Sequence, residues 1–188
     1  MKPSFALTLS HESIGLMHRT PQGWVSIGTV ATDDPDLTGA LDYLRRTALG
    51  LEPQGFATKV VIPNTEILYD VLRAPGPKPA QRRAQIAAAL EGRTPYTLDE
   101  LTFDWSGTGD EVHVAIVARE TLAEAEAFAT EHGFNPVSFV AIPAPGGFAA
   151  EPWFGQTSCA PDLLAPGEKV VRDQDPIRPV QRAPAKAA

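Results

Sequence analysis

The chain has 188 residues, 43% of them apolar, and its 16 Lys and Arg side chains are outnumbered by 23 Asp and Glu side chains, which gives a net charge of −7. This length and composition predict one ordinary hydrophobic core, or two small lobes that share a seam. The acidic excess disfavours nucleic acid and anionic lipid as partners, and no run of 18 apolar residues gives the pattern of a membrane-spanning helix.

Residues 1–74 show the pattern of a small α/β lobe. Apolar side chains alternate with polar ones in a meander of three short strands, and two more apolar strands follow a helix. Asp34 is the expected N-cap of that helix, Pro35 fits its first position, and Gly50 ends it. A helix between strands favours parallel pairing. The predicted strands of this lobe are residues 4–9, 14–17, 24–30, 59–62 and 66–72.

Residues 75–145 follow as a second lobe, after a proline-rich connector. Counted from residue 66, the elements read β-α-β-β-α-β, a split βαβ arrangement. We expect both helices of this lobe to cover one face of a small sheet. Thr121 is the expected cap of the second helix, which Gly133 ends. The predicted elements are a helix at 79–91, strands at 102–105 and 112–117, a helix at 122–132 and a strand at 137–142.

Residues 146–188 lack the signals of regular structure. From residue 155 onward the chain contains five prolines and no periodic apolar stripe. Such a segment offers too little apolar area to offset the entropy that ordering costs. We therefore predict a disordered Pro/Ala-rich tail or linker over residues 146–188.

No motif for catalysis, for cofactor binding or for metal binding is present. The sequence has no phosphate-binding loop, no dinucleotide-binding glycine motif and no paired zinc ligands. The acidic residues at 33–36 are explained by the dipole of the helix that begins there. The single cysteine, Cys159, has no adjacent base and cannot form an internal disulfide, which fits a reducing compartment. We therefore expect a cytoplasmic chain without enzymatic activity, cofactor or metal ion.

An ordered set of motifs runs through the second lobe: TPYTLDE at 94–100, VAIVAR at 114–119, GFNPV at 133–137 and VAIP at 140–143. This set resembles the SHS2 or 1C lobe that is inserted in the bacterial actin-like proteins PilM, GspL and FtsA. The first lobe is similar to the start of their large, ribonuclease H-like domain. The resemblance covers residues 4–145. It implies an α/β (α+β) fold with a truncated actin-like lobe at 1–74 and a β-α-β-β-α-β lobe at 75–145.

The phosphate turn of the nucleotide-binding relatives is altered in this chain. Where those relatives carry an acidic residue and a glycine-rich turn, this chain has Thr8 and the sequence Ser10-His11-Glu12. Thr8 brings no charge for a metal ion, and Ser10 brings a side chain where close backbone approach favours glycine. The resemblance therefore implies a GspL-like adaptor that binds no nucleotide and serves a membrane-associated assembly of the secretion, pilus or division type.

Two other functions stay open. One is an actin-like ATPase that is completed by a missing half, and the other is a stand-alone ferredoxin-like ligand-binding domain or enzyme. The fold alone does not decide between these functions.

The resemblance also implies where a partner binds, because the inserted lobe meets partners in the related proteins. We expect a protein partner, such as the cytoplasmic segment of a membrane protein, at a free sheet face or at an edge strand. A homodimer stays open, and association with the inner membrane would run through that partner or through a region beyond residue 188. A core role for the two aromatic residues is the alternative. The expected contact residues are Phe103, Trp105, His113, Ala115 and Val117.

Overall fold

The structure is a computed structural model that describes residues 1–180. It contains two β-sheets and four α-helices. The helices are α1 (Leu37–Leu51), α2 (Pro79–Leu90), α3 (Arg119–Glu131) and the short α4 (Ala160–Leu163). The strands are β1 (Phe5–Leu9), β2 (Ser13–Thr20), β3 (Gly23–Ala31), β4 (Thr58–Val61), β5 (Ile67–Arg73), β6 (Leu101–Ser106), β7 (Glu111–Ala118), β8 (Pro136–Val140) and β9 (Trp153–Gln156).

The larger sheet has six strands in the order β3-β2-β1-β4-β8-β9. The predicted meander forms its first half, because β1, β2 and β3 pair antiparallel. Strands β1, β4 and β8 are parallel to one another, and β9 returns antiparallel to β8. The helix between the third strand and the pair at 59–72 predicted parallel pairing of these strands; the parallel partner of β4 is instead β1, while β3 lies at the far edge of the sheet and β5 belongs to the smaller sheet.

One face of the larger sheet packs on α1 and α3. Leu41 and Leu44 of α1 and Leu122 and Ala125 of α3 lie in one buried cluster with the inward side chains of the sheet. Gly28 lets α1 approach closely, because an added Cβ at this position would lie only 2.4 Å from a methyl carbon of Leu44. The main core therefore sits between this face and the two helices.

The smaller sheet has three strands in the order β5-β7-β6, so β7 is its central strand. One face packs on α2, through a buried cluster that includes Ile86 and Leu90 of the helix and Val112 and Val114 of β7. The opposite face joins the main core through Ala115 and Val117 of β7, which lie in the same cluster as the buried residues of α3. The prediction that both helices cover one face is wrong: α2 and α3 lie on opposite faces.

The strand predicted to close the second lobe, at 137–142, belongs to the other sheet. The order of elements along the chain is β-α-β-β-α-β as expected, but β8 pairs with β4 rather than with a strand of the smaller sheet. Burial explains this choice, since all five residues of β8 are buried and a strand in the middle of the larger sheet is covered on both faces. A strand at the rim of the small sheet would have left part of that surface exposed.

The prediction of a disordered tail is wrong for residues 155–180. Strand β9 and helix α4 lie in this region, and the backbone N–H of Val180 donates to the carbonyl of Trp24 at 2.8 Å. Ile177, which is 2% exposed, packs against the second face of the larger sheet. The apolar side chains of this segment have no helical or strand period, and those that are buried (Ala160, Leu164, Val170 and Ile177) pack against the larger sheet. The part of the prediction that concerns residues 181–188 lies outside the described residues.

Two of the predicted helix caps, Asp34 and Thr121, are wrong. The N-cap of α1 is Asp36, whose carboxylate accepts a hydrogen bond from the Gly39 N–H at 3.2 Å, while Asp34 instead accepts one from the Asp36 N–H. Helix α3 begins at Arg119 without a side-chain cap, so Thr121 lies inside its first turn. The end predicted at Gly133 is confirmed, since this glycine has a φ of +74° just after the helix.

Candidate protein-interaction surface

The five predicted contact residues do not form one surface. Ala115 and Val117 are 0% and 1% exposed and belong to the main core, so neither side chain can reach a partner. The prediction is wrong for these two residues, and the reason is that α3 covers the face of β7 that carries them. The strand that carries them, β7, has no free edge, because it pairs with β5 on one side and with β6 on the other.

Phe103 and Trp105 lie together on the α2 face of the smaller sheet. Both are half-buried, and their ring centroids are 6.5 Å apart. The guanidinium of Arg83 lies 5.2 Å and 5.1 Å from the two ring centroids. This geometry fits a cation–π contact that covers the rim of the α2 cluster. His113 lies on the opposite face, beside Tyr69 and Val71.

Strand β5 is one of the two edge strands of the smaller sheet. Within residues 1–180 this strand pairs only with β7, in an antiparallel ladder that places Leu72 opposite Val112. The N–H of Ala74 donates to the carbonyl of Asp110 at 2.9 Å, so the even-numbered residues of the strand face β7. Since an antiparallel ladder alternates, the backbone groups of the odd-numbered residues point outward, away from the sheet. We call this outward row of backbone groups the β5 edge.

Large apolar side chains are exposed on both sides of the β5 edge. Leu68 is 46% exposed and Val71 is 47% exposed. Because neighbouring side chains of a strand point to opposite faces, Leu68 lies on the α2 face and Val71 on the other face. Tyr96, from the loop after α2, is 44% exposed and lies near Leu68. Proteins seldom expose large apolar side chains to solvent next to the outward backbone groups of an edge strand, so this combination is unusual.

A concave surface flanks the edge on each face. The first, of about 350 Å³, lies on the face of Val71 and is lined by Tyr69, His113 and the loop that ends at Phe148. The second, of about 430 Å³, lies beside Leu68 and is lined by Arg93, Tyr96 and Leu101 among others. We call them the His113 groove and the Tyr96 groove. Burial raises the pKa of Tyr69 to about 12, and its hydroxyl donates to the side-chain oxygen of Asn64 at 2.6 Å, so this side chain stays neutral.

The other edge strand, β6, is contacted through its side chains by residues that follow β8 in sequence. The N–H groups of Ala149 and Trp153 donate to the side chains of Ser106 and Asp104 at 3.1 Å and 2.9 Å. Arg172 adds an ion pair to Asp104 at 2.6 Å. Parts of residues 149–172 therefore cover the face of β6 that carries Asp104 and Ser106, whereas β5 has a groove on each of its two faces.

In the turn between β1 and β2, where the resemblance implies a phosphate site in relatives, the side chain of Ser10 binds the backbone N–H groups of the turn. The hydroxyl oxygen of Ser10 accepts hydrogen bonds from the N–H groups of Glu12 and Ser13, at 3.3 Å and 3.0 Å. Thr8 faces Gly15, where an added Cβ would lie 2.5 Å from the Thr8 hydroxyl. The N–H groups that a phosphate would need are thus already occupied.

A buried ion cluster joins the larger sheet to residues 149–180, which we call the C-terminal segment. The ammonium of Lys59, in β4, lies 2.6 Å from Glu151 and 2.8 Å from Asp173. Arg19 pairs with Asp173 at 2.8 Å, and both cations lie over the ring of Trp24. Of the carboxylate oxygens of Glu151 and Asp173, only Oε2 of Glu151 has no hydrogen-bond partner. The cluster is buried between the larger sheet and the residues around 151 and 173, so we interpret it as a structural contact that holds these residues on the sheet.

Sequence reasoning missed both the β5 edge and the Lys59 cluster. A lysine within the apolar strand 58–61 was the available signal for the cluster, since a buried lysine requires a carboxylate partner. Among the described residues, no group of three His, Cys, Asp or Glu side chains is placed to hold a metal ion. In residues 1–180, no helix has both the length and the apolar character needed to cross a bilayer.

Comparisons with known proteins identify the fold. No protein-family model matches the chain, and no curated protein matches it by sequence. Among solved structures, the chain is similar to the cytoplasmic domain of EpsL, an inner membrane component of the type II secretion system of Vibrio cholerae, with 15% identity and a TM-score of 0.56 over 76% of this chain. It is also similar to a PilM–PilN type IV pilus biogenesis complex, with 14% identity and a TM-score of 0.50 over 71% of this chain.

The fold is therefore that of the actin-like GspL and PilM domains, and the predicted resemblance is confirmed at the level of the fold. The match spans 60% of the length of the first of these chains and 45% of the second. At this level of identity, the likeness shows the architecture and not the activity.

Proposed function

We propose that this chain is a non-catalytic protein-interaction module that binds an extended segment of a partner by strand addition at the β5 edge. The observation that carries the proposal is the free β5 edge with a groove on each face. An added strand would take its hydrogen bonds from the outward backbone groups of Tyr69, Val71 and Arg73. Its alternate side chains would enter the His113 groove and the Tyr96 groove in turn, which is how strand addition combines affinity with specificity.

The chemistry of the grooves specifies the partner segment. Leu68 and Val71 offer apolar contact on opposite faces of the sheet. The segment should therefore carry at least one apolar side chain on each of its own two faces, at positions an odd number apart. His113 is the predicted contact residue that this geometry retains. The proposal assigns Phe103 and Trp105 to the rim of the α2 cluster, since they belong to β6 and pack beside Arg83 rather than beside β5.

The cellular setting is part of the proposal and draws on the similar structures. One is the cytoplasmic domain of an inner membrane component of a secretion system, and the other is a complex of PilM with PilN. We propose that this chain acts in the same manner, as a cytoplasmic adaptor in a membrane-associated assembly. On this proposal the bound segment is the cytoplasmic part of a membrane protein.

Val71→Pro tests strand addition directly. Proline removes the outward N–H but leaves the pairing with β7 intact, because Val71 does not donate to that strand; proline is tolerated on edge strands for this reason. Val71→Thr is the matched control, since it keeps both the N–H and the β-branched shape. Peptides of about twelve residues are selected from a phage-displayed random library on the wild-type chain, and their affinities are measured for each variant.

We expect the selected peptides to carry apolar residues on both faces of the strand, at positions an odd number apart, and to bind wild type and V71T alike. Binding to V71P should fall by about tenfold or more, which corresponds to roughly 1.4 kcal/mol. Circular dichroism should show that V71P stays folded. Peptides that bind V71P as well as wild type, or a selection that enriches none, would overturn the proposal.

Trp105→Ser separates the β5 edge from the surface around Phe103 and Trp105. With the partner segment at β5, W105S should lower stability through lost packing on α2 and keep peptide affinity. His113→Ala, on the wall of the groove, should lower peptide affinity and keep stability. The reverse pattern would place the interaction surface at Phe103 and Trp105.

A further inference from the structure

The side chain of Asp70 lies across the β5 edge. One carboxylate oxygen accepts a hydrogen bond from the N–H of the next residue, Val71, at 2.8 Å. The other oxygen lies 3.1 Å from the guanidinium of Arg93, which comes from the loop after α2. Asp70 is thus held from both sides, by the outward backbone of its own strand and by a cation on the neighbouring loop.

Asp70 changes how many donors the β5 edge presents. Four residues of the strand direct backbone groups outward, and two of their N–H groups are already bonded. The N–H of Ile67 donates to the carbonyl of Asn64, and the N–H of Val71 donates to Asp70. Tyr69 and Arg73 remain as donors. The carboxylate beside the middle of the row also repels the carbonyl oxygens of any incoming strand, because the carboxylate is negatively charged and a carbonyl oxygen is the negative end of its dipole.

We propose that Asp70, positioned by Arg93, guards the β5 edge against pairing with the same edge of a second copy of this chain. The proposal rests on the proposed function in one respect, that β5 is the edge open to strand addition. A segment that binds there must displace the carboxylate from Val71, and it gains the freed N–H in return. Any strand that pairs with β5 must first break the hydrogen bond between Asp70 and Val71. The contacts of a well-matched partner segment offset this loss, and those of a second copy of the chain do not.

A second copy is the competitor that the guard has to exclude. Two β5 strands can pair antiparallel about a two-fold axis, because each carries the same outward row of donors and acceptors. Such pairing would join two three-stranded sheets into one of six strands and would cover Leu68 and Val71 of both copies. Of the other exposed side chains of the strand, Leu68 and Val71 are apolar, and Arg73 is a cation at the C-terminal end of β5, away from the middle of the row. The charge of Asp70 is the feature that opposes this dimer.

Sedimentation velocity on the full chain, without any peptide, tests the guard. The variants are Asp70→Ala, which removes the carboxylate, and Arg93→Ala, which releases it. Asp33→Ala is the charge-matched control, since Asp33 is an exposed carboxylate in the loop before α1, on the other lobe. The double variant D70A/V71P reports whether any dimer uses the β5 edge.

We expect the dimer dissociation constant to fall by about tenfold or more in D70A, and by less in R93A, relative to wild type and D33A. D70A/V71P should return to the wild-type value, because proline removes the freed donor. A D70A chain that associates no more than wild type overturns the guard, and so does a D70A dimer that persists in D70A/V71P. Since no peptide is present, failure of the guard and failure of peptide binding are read from separate experiments.

Discussion

The ammonium of Lys59 lies 2.6 Å from a carboxylate oxygen of Glu151, although 92 residues separate the two in sequence. Lys59 is 1% exposed and Glu151 is 1% exposed, so the pair is fully removed from water. Asp173 completes the arrangement from a third part of the chain. Because a buried charge without a partner is costly, this contact ties the C-terminal segment to the centre of the larger sheet.

Replacing the shared cation should destabilise the fold strongly. In Lys59→Met, Glu151 and Asp173 lose the ammonium that lies between them, and we expect the free energy of unfolding to fall by about 3–5 kcal/mol. Lys2→Met is the matched control, because Lys2 also faces Asp173 but at 3.5 Å and with a side chain that is 54% exposed. The control should cost less than about 1 kcal/mol. Urea denaturation at neutral pH measures both, and equal losses would contradict the structural role of the cluster.

The protonation of Glu151 should make stability depend on pH. Burial raises the pKa of Glu151 to about 7 from an ordinary value of 4.5, and the Lys59 ammonium offsets only part of this shift. The folded chain therefore holds this proton more tightly than the unfolded chain. The stabilising contribution is complete below pH 4.5, and it is lost as the pH rises through 7.

Glu151→Gln isolates this effect, because glutamine does not titrate. Between pH 5 and pH 8, wild type should lose roughly 2–3 kcal/mol relative to E151Q. Asp173 does not interfere in this window: burial alone would raise its pKa, but its bonds to Arg19 and Lys59 hold that pKa well below its usual value. Denaturant unfolding of both proteins across the pH series gives the difference, and parallel curves would refute the prediction.

The C-terminal segment should contribute to the stability of the whole fold. Ile177 is 2% exposed and packs with Trp24, Val61 and Val140 of the larger sheet. Ile177→Ala should lower the free energy of unfolding by about 2–5 kcal/mol, as a buried cavity does. Val171→Ala, in the same segment but 48% exposed, should change it by less than about 0.5 kcal/mol. A small effect of I177A would show that the segment adds little to the fold.

We predict that the chain does not bind Mg-ATP. Ser10 occupies the N–H groups of the β1–β2 turn, and Thr8 supplies no charge for a metal ion. Isothermal titration should show no binding, both for wild type and for Ser10→Gly, because the glycine frees the N–H groups without restoring an acidic residue at position 8. A dissociation constant below about 100 µM for wild type, or roughly −5.5 kcal/mol, would contradict the prediction.

The sequence determined the local elements of this protein, because their signals are local. The alternation in residues 4–9, the apolar stripe of α1 and the glycine at 133 each predict an element that the structure contains. The ordered motifs between residues 94 and 143 also led to the actin-like fold. Each of these inferences needs only the side chains within about one element and the order of elements along the chain.

Only the tertiary structure decided which elements share a sheet and which residues are covered. Strand β8 follows the second lobe in sequence but joins the larger sheet, where both of its faces are buried. Ala115 and Val117 are buried for a related reason, since α3 packs on the face of β7 that carries them. Residues 155–180 have no period of their own and are ordered by the apolar sheet face they cover and by Lys59 beneath them. Contacts between residues far apart in sequence leave no local periodicity, so these features could be read only from the folded chain.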